Sequence, residues 1–206
     1  MPKGSKELTD ARRKEIVDAC QELYQSMSFK EITIKEIGKV ISFTRTSVYN
    51  YFQTKEEIFL ALLQREYAAW NEELDQAVEK TGTMTVEDLA EFLAETLSRR
   101  EQMLKLVAMN MYEIEENSSL ECLVEFKKEY RRTVELIDRC LRKVRPDLSD
   151  RECWEFKYEF FPFVYGIYPY TSVTEKQLEA MKEAGFTYVP ASVSETVRML
   201  VQRLLG

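Results

Sequence analysis

The chain has 206 residues, enough for one large or two modest domains with a hydrophobic core. Hydrophobic residues make up 45% and charged residues 32%, with only six Gly and five Pro; this is ordinary globular composition and favours long helices over a turn-rich all-β fold. The net charge of −7 argues against a nucleic-acid partner unless the charge is unevenly spread.

Residues 1–9 are polar and read as a frayed tail, with Lys3 and Lys6 as minor-groove candidates beside the plainer reading of a disordered end. From Thr9 to Met27 the positions Ile16, Cys20, Leu23 and Met27 recur at four, three and four, predicting one buried helix face. Arg12, Arg13 and Lys14 near its start are weak candidates for phosphate contact, against a solvated face. Thr33 with Glu36 has the spacing of a capping box, in which N-cap and N3 side chains satisfy orphan N–H groups. Ile34, Ile37, Val40 and Ile41 then form one apolar stripe over about two turns. Ser42 and Phe43 make a turn, and Thr44 is the next N-cap candidate. In the following segment, Arg45 to Tyr51, Val48 and Phe52 face inward. Arg45, Thr46, Ser47, Tyr49 and Asn50 are left outward, and each can hydrogen-bond a phosphate or a base edge. Two short helices joined by a tight turn, the second with polar tips, form the helix-turn-helix pattern of major-groove readers. The charge is indeed uneven. Residues 1–55 hold ten Lys/Arg against seven Asp/Glu, a balance of +3, and the remainder 19 against 29, a balance of −10. A basic head on an acidic body is compatible with DNA, since phosphate attraction follows the local field.

These residues resemble the DNA-binding domain of the tetracycline-repressor (TetR) family. The match runs over residues 16–60: Ala19 and Leu23-Tyr24, then Phe29, Thr33, Ile34 and Ile37, then Thr44, Val48-Tyr49-Asn50-Tyr51-Phe52 and Lys55-Glu56-Glu57-Ile58-Phe59. Two serines depart from the pattern: Ser42 stands where the family has Gly in the turn, and Ser28 where it has Gly before the aromatic. Both sites often need positive φ, which Ser tolerates poorly. Thr46 replaces a smaller side chain. The resemblance implies an all-α fold of about nine helices. Residues 1–54 would be the helix-turn-helix domain and 55–206 a larger effector-binding and dimerisation domain. It further implies that Arg45 and Thr46 read base edges, that Thr33, Tyr49 and Lys55 hold phosphates, and that Ser47 and Asn50 do either. Thr44 belongs to the same surface, and Tyr51 either joins it or packs beneath it.

Thr54 with Glu57 repeats the capping-box spacing and opens a helix with Ile58, Phe59, Leu62, Leu63, Tyr67, Trp70, Leu74 and Val78 on one stripe. At 1.5 Å per residue it runs about 40 Å and leads from head to body, ending at Thr81-Gly82-Thr83. Thr85 with Asp88 caps the next helix, interrupted at 98–100. Met103, Leu106, Val107, Met109 and Met111 continue in a shorter segment. After the loop 117–119, Leu123, Phe126, Tyr130, Val134, Ile137 and Leu141 alternate by three and four to Pro146. Ser149 with Glu152 caps the most aromatic stretch, Trp154 to Tyr170, where Pro162 should kink or interrupt the helix. A short helix at Glu175–Ala184, closed by Gly185, and a capped helix from Ser192 complete the chain.

Such a regulator pairs with itself to read two half-sites. The family places the dimer surface on its last two long helices, which here points to Trp154, Phe161, Tyr168, Val197, Leu200, Val201 and Leu204. A small-molecule effector is implied as well. Trp70, Met103, Met109, Tyr112, Phe126, Tyr130, Phe160 and Tyr165 are candidate pocket residues, since Met and aromatics make adaptable cavities; plain core packing is the competing reading for each. No cofactor is expected. Four cysteines without CxxC spacing and the absence of His argue against a zinc site. No run approaches the ~20 apolar residues of a membrane span and no leader is visible, so the expected location is the cytoplasm with reduced thiols. Without His, a Gly-rich phosphate loop or GxSxG, an enzyme is not expected, and Glu113, Glu115 and Glu116 read as a solvated face. A helical protein–protein adaptor is the alternative, but it leaves Arg45–Asn50 unexplained.

Overall fold

The structure is a computed structural model that describes residues 3–80 and 82–206, with side chains from Lys6 onward. The expectations for the Lys3 side chain and for Thr81 lie outside the described residues. Twelve helices are described: α1 (Lys3–Tyr24), α2 (Ile34–Val40), α3 (Arg45–Val48), α4 (Lys55–Glu79), α5 (Val86–Ser98), α6 (Glu101–Met109), α7 (Met111–Glu116), α8 (Leu120–Val144), α9 (Asp150–Gly166), α10 (Tyr168–Thr171), α11 (Glu175–Glu183) and α12 (Val193–Leu205). No strand occurs among the described residues, and the fold is all-α. The count exceeds nine because the segment after α5 breaks at Asn110, because α10 is a single extra turn, and because the connection before α12 carries the nine-residue α11. Residues 3–9, expected to be frayed, are the first turns of α1. Pro162 does not end α9, which runs on to Gly166.

Two compact units are present. The first comprises the chain up to Ala68 together with 110–130; the second comprises 69–109 and 131–206. In the first, α1 supplies Ile16, Cys20 and Tyr24 to a core shared with Phe29, Ile32, Ile37, Val48, Phe52, Ile58 and Phe59. Phe59 meets Phe29 at 4.6 Å and the edge of Tyr24 at 5.3 Å, offset and edge-on contacts that add to area burial. Val40, predicted on the inward stripe of α2, is exposed. Arg65 of α4 reaches Asp18 and Gln21 of α1. Tyr67, Phe126 and Tyr130 form an aromatic cluster with centroids 5.6–6.5 Å apart.

In the second unit α5 lies along α12, and α6 meets α9 and α10. Most of its buried polar groups are satisfied in pairs, as burial favours, although the Arg100 Nε–H is enclosed without an acceptor among the described residues. The Trp70 indole N–H donates to Thr96 at 3.2 Å, the Thr133 hydroxyl to Asn71 at 2.6 Å, and Arg100 to Glu73 at 2.7 Å. Lys143 donates to the carbonyls of Ala77 and Val78 at 3.0 and 2.8 Å and to that of Lys80. Those are the orphan acceptors of the α4 C-terminus, met by a cation where the helix dipole favours one. α11 closes on Gly185, whose φ of +72° lets the Phe186 N–H return to Met181 O at 2.8 Å.

Candidate nucleic-acid interface

α2 begins at Thr33, whose hydroxyl oxygen accepts the Glu36 N–H at 3.2 Å. Only this half of the expected capping box forms, because the Glu36 carboxylate takes Lys39 at 2.6 Å instead. α3 is a single helical turn, shorter than predicted, extended by the bonds of Tyr51 N and Phe52 N to Val48 O at 2.9 and 3.0 Å. Its inner side is Val48 and Phe52, both at most 1% exposed. On its outer side Arg45, Thr46, Tyr49 and Asn50 are exposed and Ser47 is half-buried. Thr44 does not cap the backbone; its hydroxyl lies 2.8 Å from that of Ser47. The Gln53 amide donates to Tyr49 O at 2.9 Å and finishes the turn. No hydrogen bond or ion pair engages the Arg45 guanidinium among the described residues, and Lys30, Lys35 and Lys39 are likewise exposed.

The two serines that stand where glycines were expected adopt negative φ, for no non-Gly residue among those described has a positive one. Each is held by a carboxylate instead. Glu31 accepts the Ser28 N–H at 2.8 Å and its hydroxyl at 2.7 Å. Glu15 of α1 accepts the Ser42 N–H, while Arg12 donates to the Ser42 hydroxyl at 2.9 Å and lies 4.4 Å from the Phe43 ring. The Ser42 N–H, more than any other group, holds the Glu15 carboxyl below its ordinary range.

Cations expected at phosphates have partners within the chain. Arg13 donates to Tyr51 O at 2.8 Å and stacks 4.3 Å from Phe52; Lys14 pairs with Asp18 at 2.7 Å. Lys55 is half-buried, with its ammonium 2.9 Å from Phe29 O and 4.2 Å from the Phe29 ring. Arg12 and Arg13 therefore hold the turn and the end of α3 in place. Tyr51 is half-buried against Phe43 at 6.1 Å, so it packs beneath the surface. At the start of α4, Thr54 accepts the Glu57 N–H at 3.1 Å, but the Glu57 carboxylate accepts Gln53 N at 2.7 Å rather than Thr54 N. Its other oxygen takes Ser119 N at 3.2 Å, and the Thr54 hydroxyl donates to Asn117 O at 3.1 Å. Glu57 is 5% exposed. Burial pushes its carboxyl up, yet these N–H donors outweigh it and hold the carboxyl below its ordinary value. Spacing alone pointed to Glu57 as a capping residue; its bond to Ser119 had no signal in the sequence.

The candidate pocket residues are divided between the two units. Tyr112, Phe126 and Tyr130 belong to the first unit and Trp70, Met103, Met109, Phe160 and Tyr165 to the second. Met109 and Tyr112 are exposed, Tyr130 and Tyr165 half-buried, and the others wholly enclosed. None of them lines the apolar cleft of about 830 Å³ between Phe163, Ile167, Tyr170, Phe186 and Val189. Of the dimer candidates, Trp154 is exposed and Tyr168, Leu200 and Leu204 are half-buried. Phe161, Val197 and Val201 are enclosed by their own chain and present no surface. The large exposed apolar groups on these helices that were not predicted are Tyr158, Tyr170 and Met199. Tyr158 stacks on Trp154 at 4.5 Å.

A one-turn helix seated across a second, its buried side apolar and its free side carrying Arg, Thr, Tyr and Asn, defines a helix-turn-helix DNA-binding protein. Residues 16–62 match the family model described as bacterial regulatory proteins, tetR family. Residues 64–206 match the tetracyclin repressor-like C-terminal domain. The chain belongs to the TetR family of transcriptional regulators. The HTH-type transcriptional regulator YfiR of Bacillus subtilis is 31% identical over 78 residues, 38% of each protein. An HTH-type transcriptional repressor of Mycobacterium tuberculosis is 26% identical over 66 residues, 32% of this chain and 35% of that one. Both matches span little more than a third of the relative's length. A TetR/AcrR-family regulator from Thermobifida fusca shares the fold at a TM-score of 0.64 and 19% identity, over 95% of this chain and 97% of its own. FadR from Bacillus subtilis, solved with stearoyl-CoA, does so at 0.61 and 14%, over 94% and 97%. No helix among the described residues is long and apolar enough to cross a membrane.

Proposed function

We propose that the protein is a repressor that binds a palindromic operator as a homodimer, acts in the cytoplasm and is released by a small-molecule effector. The observation that carries the DNA-reading part is the two-sidedness of α3, with Val48 and Phe52 enclosed and Arg45, Thr46, Tyr49 and Asn50 in solvent. Arg45 and Thr46 contact base edges; Thr33, Tyr49 and Lys55 contact phosphates; Thr44, Ser47 and Asn50 complete the surface, with Tyr51 supporting it from below. Lys55 does so by exchanging the Phe29 carbonyl for a phosphate oxygen. Residues 1–54 are the reading head and 55–206 the body that pairs and senses. Pairing uses the exposed Trp154, Tyr158 and Met199 with the half-buried Tyr168, Leu200 and Leu204. Repression is supported by the name of the mycobacterial relative, and an effector by the acyl-CoA complex of the FadR neighbour.

The test is selection of bound fragments from the source genome, followed by titration of a selected fragment against salt. A palindromic consensus and affinity falling steeply with salt are expected, in proportion to the phosphates contacted. Binding indifferent to both salt and sequence would remove the DNA-reading role and leave the helical adaptor.

A further inference from the structure

The connection between α9 and α12 lies wholly in the second unit and forms the cleft of about 830 Å³, a size within the roughly 300–1,000 Å³ of small-molecule sites. Among its lining residues Ile167 is enclosed and Phe163 half-buried, whereas Phe186 is 60% and Tyr170 and Val189 are 77% exposed. Apolar walls thus rise from an enclosed base to a wet rim. Local features build this shape. Gly185 ends α11 at a φ of +72° and turns the chain back. The Tyr188 hydroxyl then donates to Tyr170 O at 3.4 Å and ties the returning segment to α10. None of the described residues that line the cleft carries a charge, although 32% of the chain is charged. α11 shows the sorting most clearly: of its residues only Met181 lines the cleft, and its Glu and Lys side chains do not. The hydroxyls of Tyr170 and Thr187 reach the rim, and no hydrogen bond engages them among the described residues.

We propose that this cleft binds a neutral small molecule, one with an apolar body and an uncharged polar end. Covering the rim removes Tyr170, Phe186 and Val189 from water, which favours an apolar occupant. Charge decides the class. A buried carboxylate or phosphate without a cation is far more costly than a buried hydroxyl, and no Lys or Arg lines these walls. An ammonium would equally lack a carboxylate. A hydroxyl, ester or ketone instead finds the Tyr170 and Thr187 hydroxyls, each able to donate and accept. Met181 and the aromatic rings adapt to the shape of the body. The site is separate from the pocket candidates on the helices before α10, none of which lines it. It gives the proposed effector a place and a chemical class, and rests on that reading only for the consequence at the operator.

The experiment titrates the full chain with Nile red, a neutral dye that brightens in apolar surroundings. The dye is then competed with 1-decanol, decanoate and decyltrimethylammonium, which share one alkyl chain and differ in the charge of the head. Phe186→Asp and Val189→Asp place a charge at the rim; Leu178→Asp, at an exposed position of α11 outside the cleft, is the control. All three positions are exposed, so folding is expected to survive, and sedimentation is run alongside. The expected result is saturable binding of dye, displaced by decanol and at least about tenfold less readily by either charged head. Both rim variants should weaken the dye by about tenfold, with Leu178→Asp unchanged. The inference is overturned by non-saturable binding, by an equal loss in Leu178→Asp, or by a charged head that competes as well as decanol. Dye binding that appears only in variants reduced to monomer would also overturn it and assign the cleft to a second copy. Operator binding measured with and without decanol separates the two readings. Release from wild type but not from Phe186→Asp ties the occupant to the operator, whereas cleft binding with an unchanged operator overturns release through this cleft and leaves the site standing.

Discussion

Replacing Glu57 by Gln tests the tie between the start of α4 and the loop ahead of α8. The wild-type carboxylate accepts Gln53 N at 2.7 Å and Ser119 N at 3.2 Å from a position only 5% exposed. A hydrogen bond to a charged acceptor contributes ~1.5–3 kcal/mol. The amide keeps one acceptor oxygen but sets an NH2 group against the other backbone N–H, so the loss is about one such bond plus an unsatisfied donor, roughly 2–3 kcal/mol. With a urea slope of about 2–3 kcal/mol per molar for a chain of this size, the unfolding midpoint should fall by about 1 M at neutral pH. Emission from the enclosed Trp70 can report the transition. The effect should also depend on pH. The native Glu57 carboxyl lies below its ordinary value of 4.5, so its contribution is complete above that value and is lost as pH falls through the native one. The two proteins should therefore converge in acid. An unchanged midpoint at neutral pH, or a gap that persists undiminished in acid, would refute the assignment of the stabilisation to the charged carboxylate.

The remaining predictions concern the reading head, the pairing surface and one turn. Arg45→Ala should cost about 1–3 kcal/mol on the selected operator and relax one base position, whereas Lys55→Ala should weaken all sequences alike and reduce the salt slope by about one; fluorescence anisotropy over a salt series separates them. Trp154→Ser combined with Tyr158→Ser should shift sedimentation at micromolar concentration from dimer to monomer with helicity unchanged, because both side chains are exposed in the single chain. Gly185→Ala should cost about 1 kcal/mol or more in thermal unfolding, since its φ of +72° is one an L side chain rarely adopts.

Much of the fold was legible because the helix signals are local. Thr85 with Asp88, Ser149 with Glu152 and Ser192 with Glu195 form complete capping boxes where their spacing put them. At Glu36 and Glu57 the same spacing yields only half a box, because Lys39 competes in the first case and Gln53 and Ser119 in the second. Ser119 lies 62 residues from Glu57, and no periodicity reports a partner at that separation. For the same reason spacing does not announce the partners of Arg12, Arg13 and Lys55, all candidates for phosphates: the rings of Phe43, Phe52 and Phe29 that hold them are remote in sequence. In α9 the limit is different. The stretch from Phe160 is apolar on all sides, so spacing cannot separate the enclosed Phe161 from a surface aromatic, and within the same aromatic run nothing local marks Tyr158 as exposed beside Trp154.

The two serines show how such a turn is made without glycine. Glycine is favoured in such turns because it reaches positive φ at little steric cost, but this requirement belongs to one way of turning the chain rather than to the helix-turn-helix itself. Here the chain turns with negative φ throughout, and the N–H that this path leaves pointing outward is taken up by a carboxylate, Glu31 for Ser28 and Glu15 for Ser42. The serine hydroxyls join the same networks, through Glu31 at Ser28 and through Arg12 at Ser42. The consequence is that the placement of α3 depends on α1 as well as on α2. Glu15 and Arg12 fasten the turn that precedes α3, and Arg13 fastens Tyr51 just after it. A glycine restored at residue 42 would keep the Glu15 bond to the backbone N–H but lose the bond from Arg12. Its effect on operator binding should therefore be smaller than that of Glu15→Ala, which leaves the turn N–H without its acceptor.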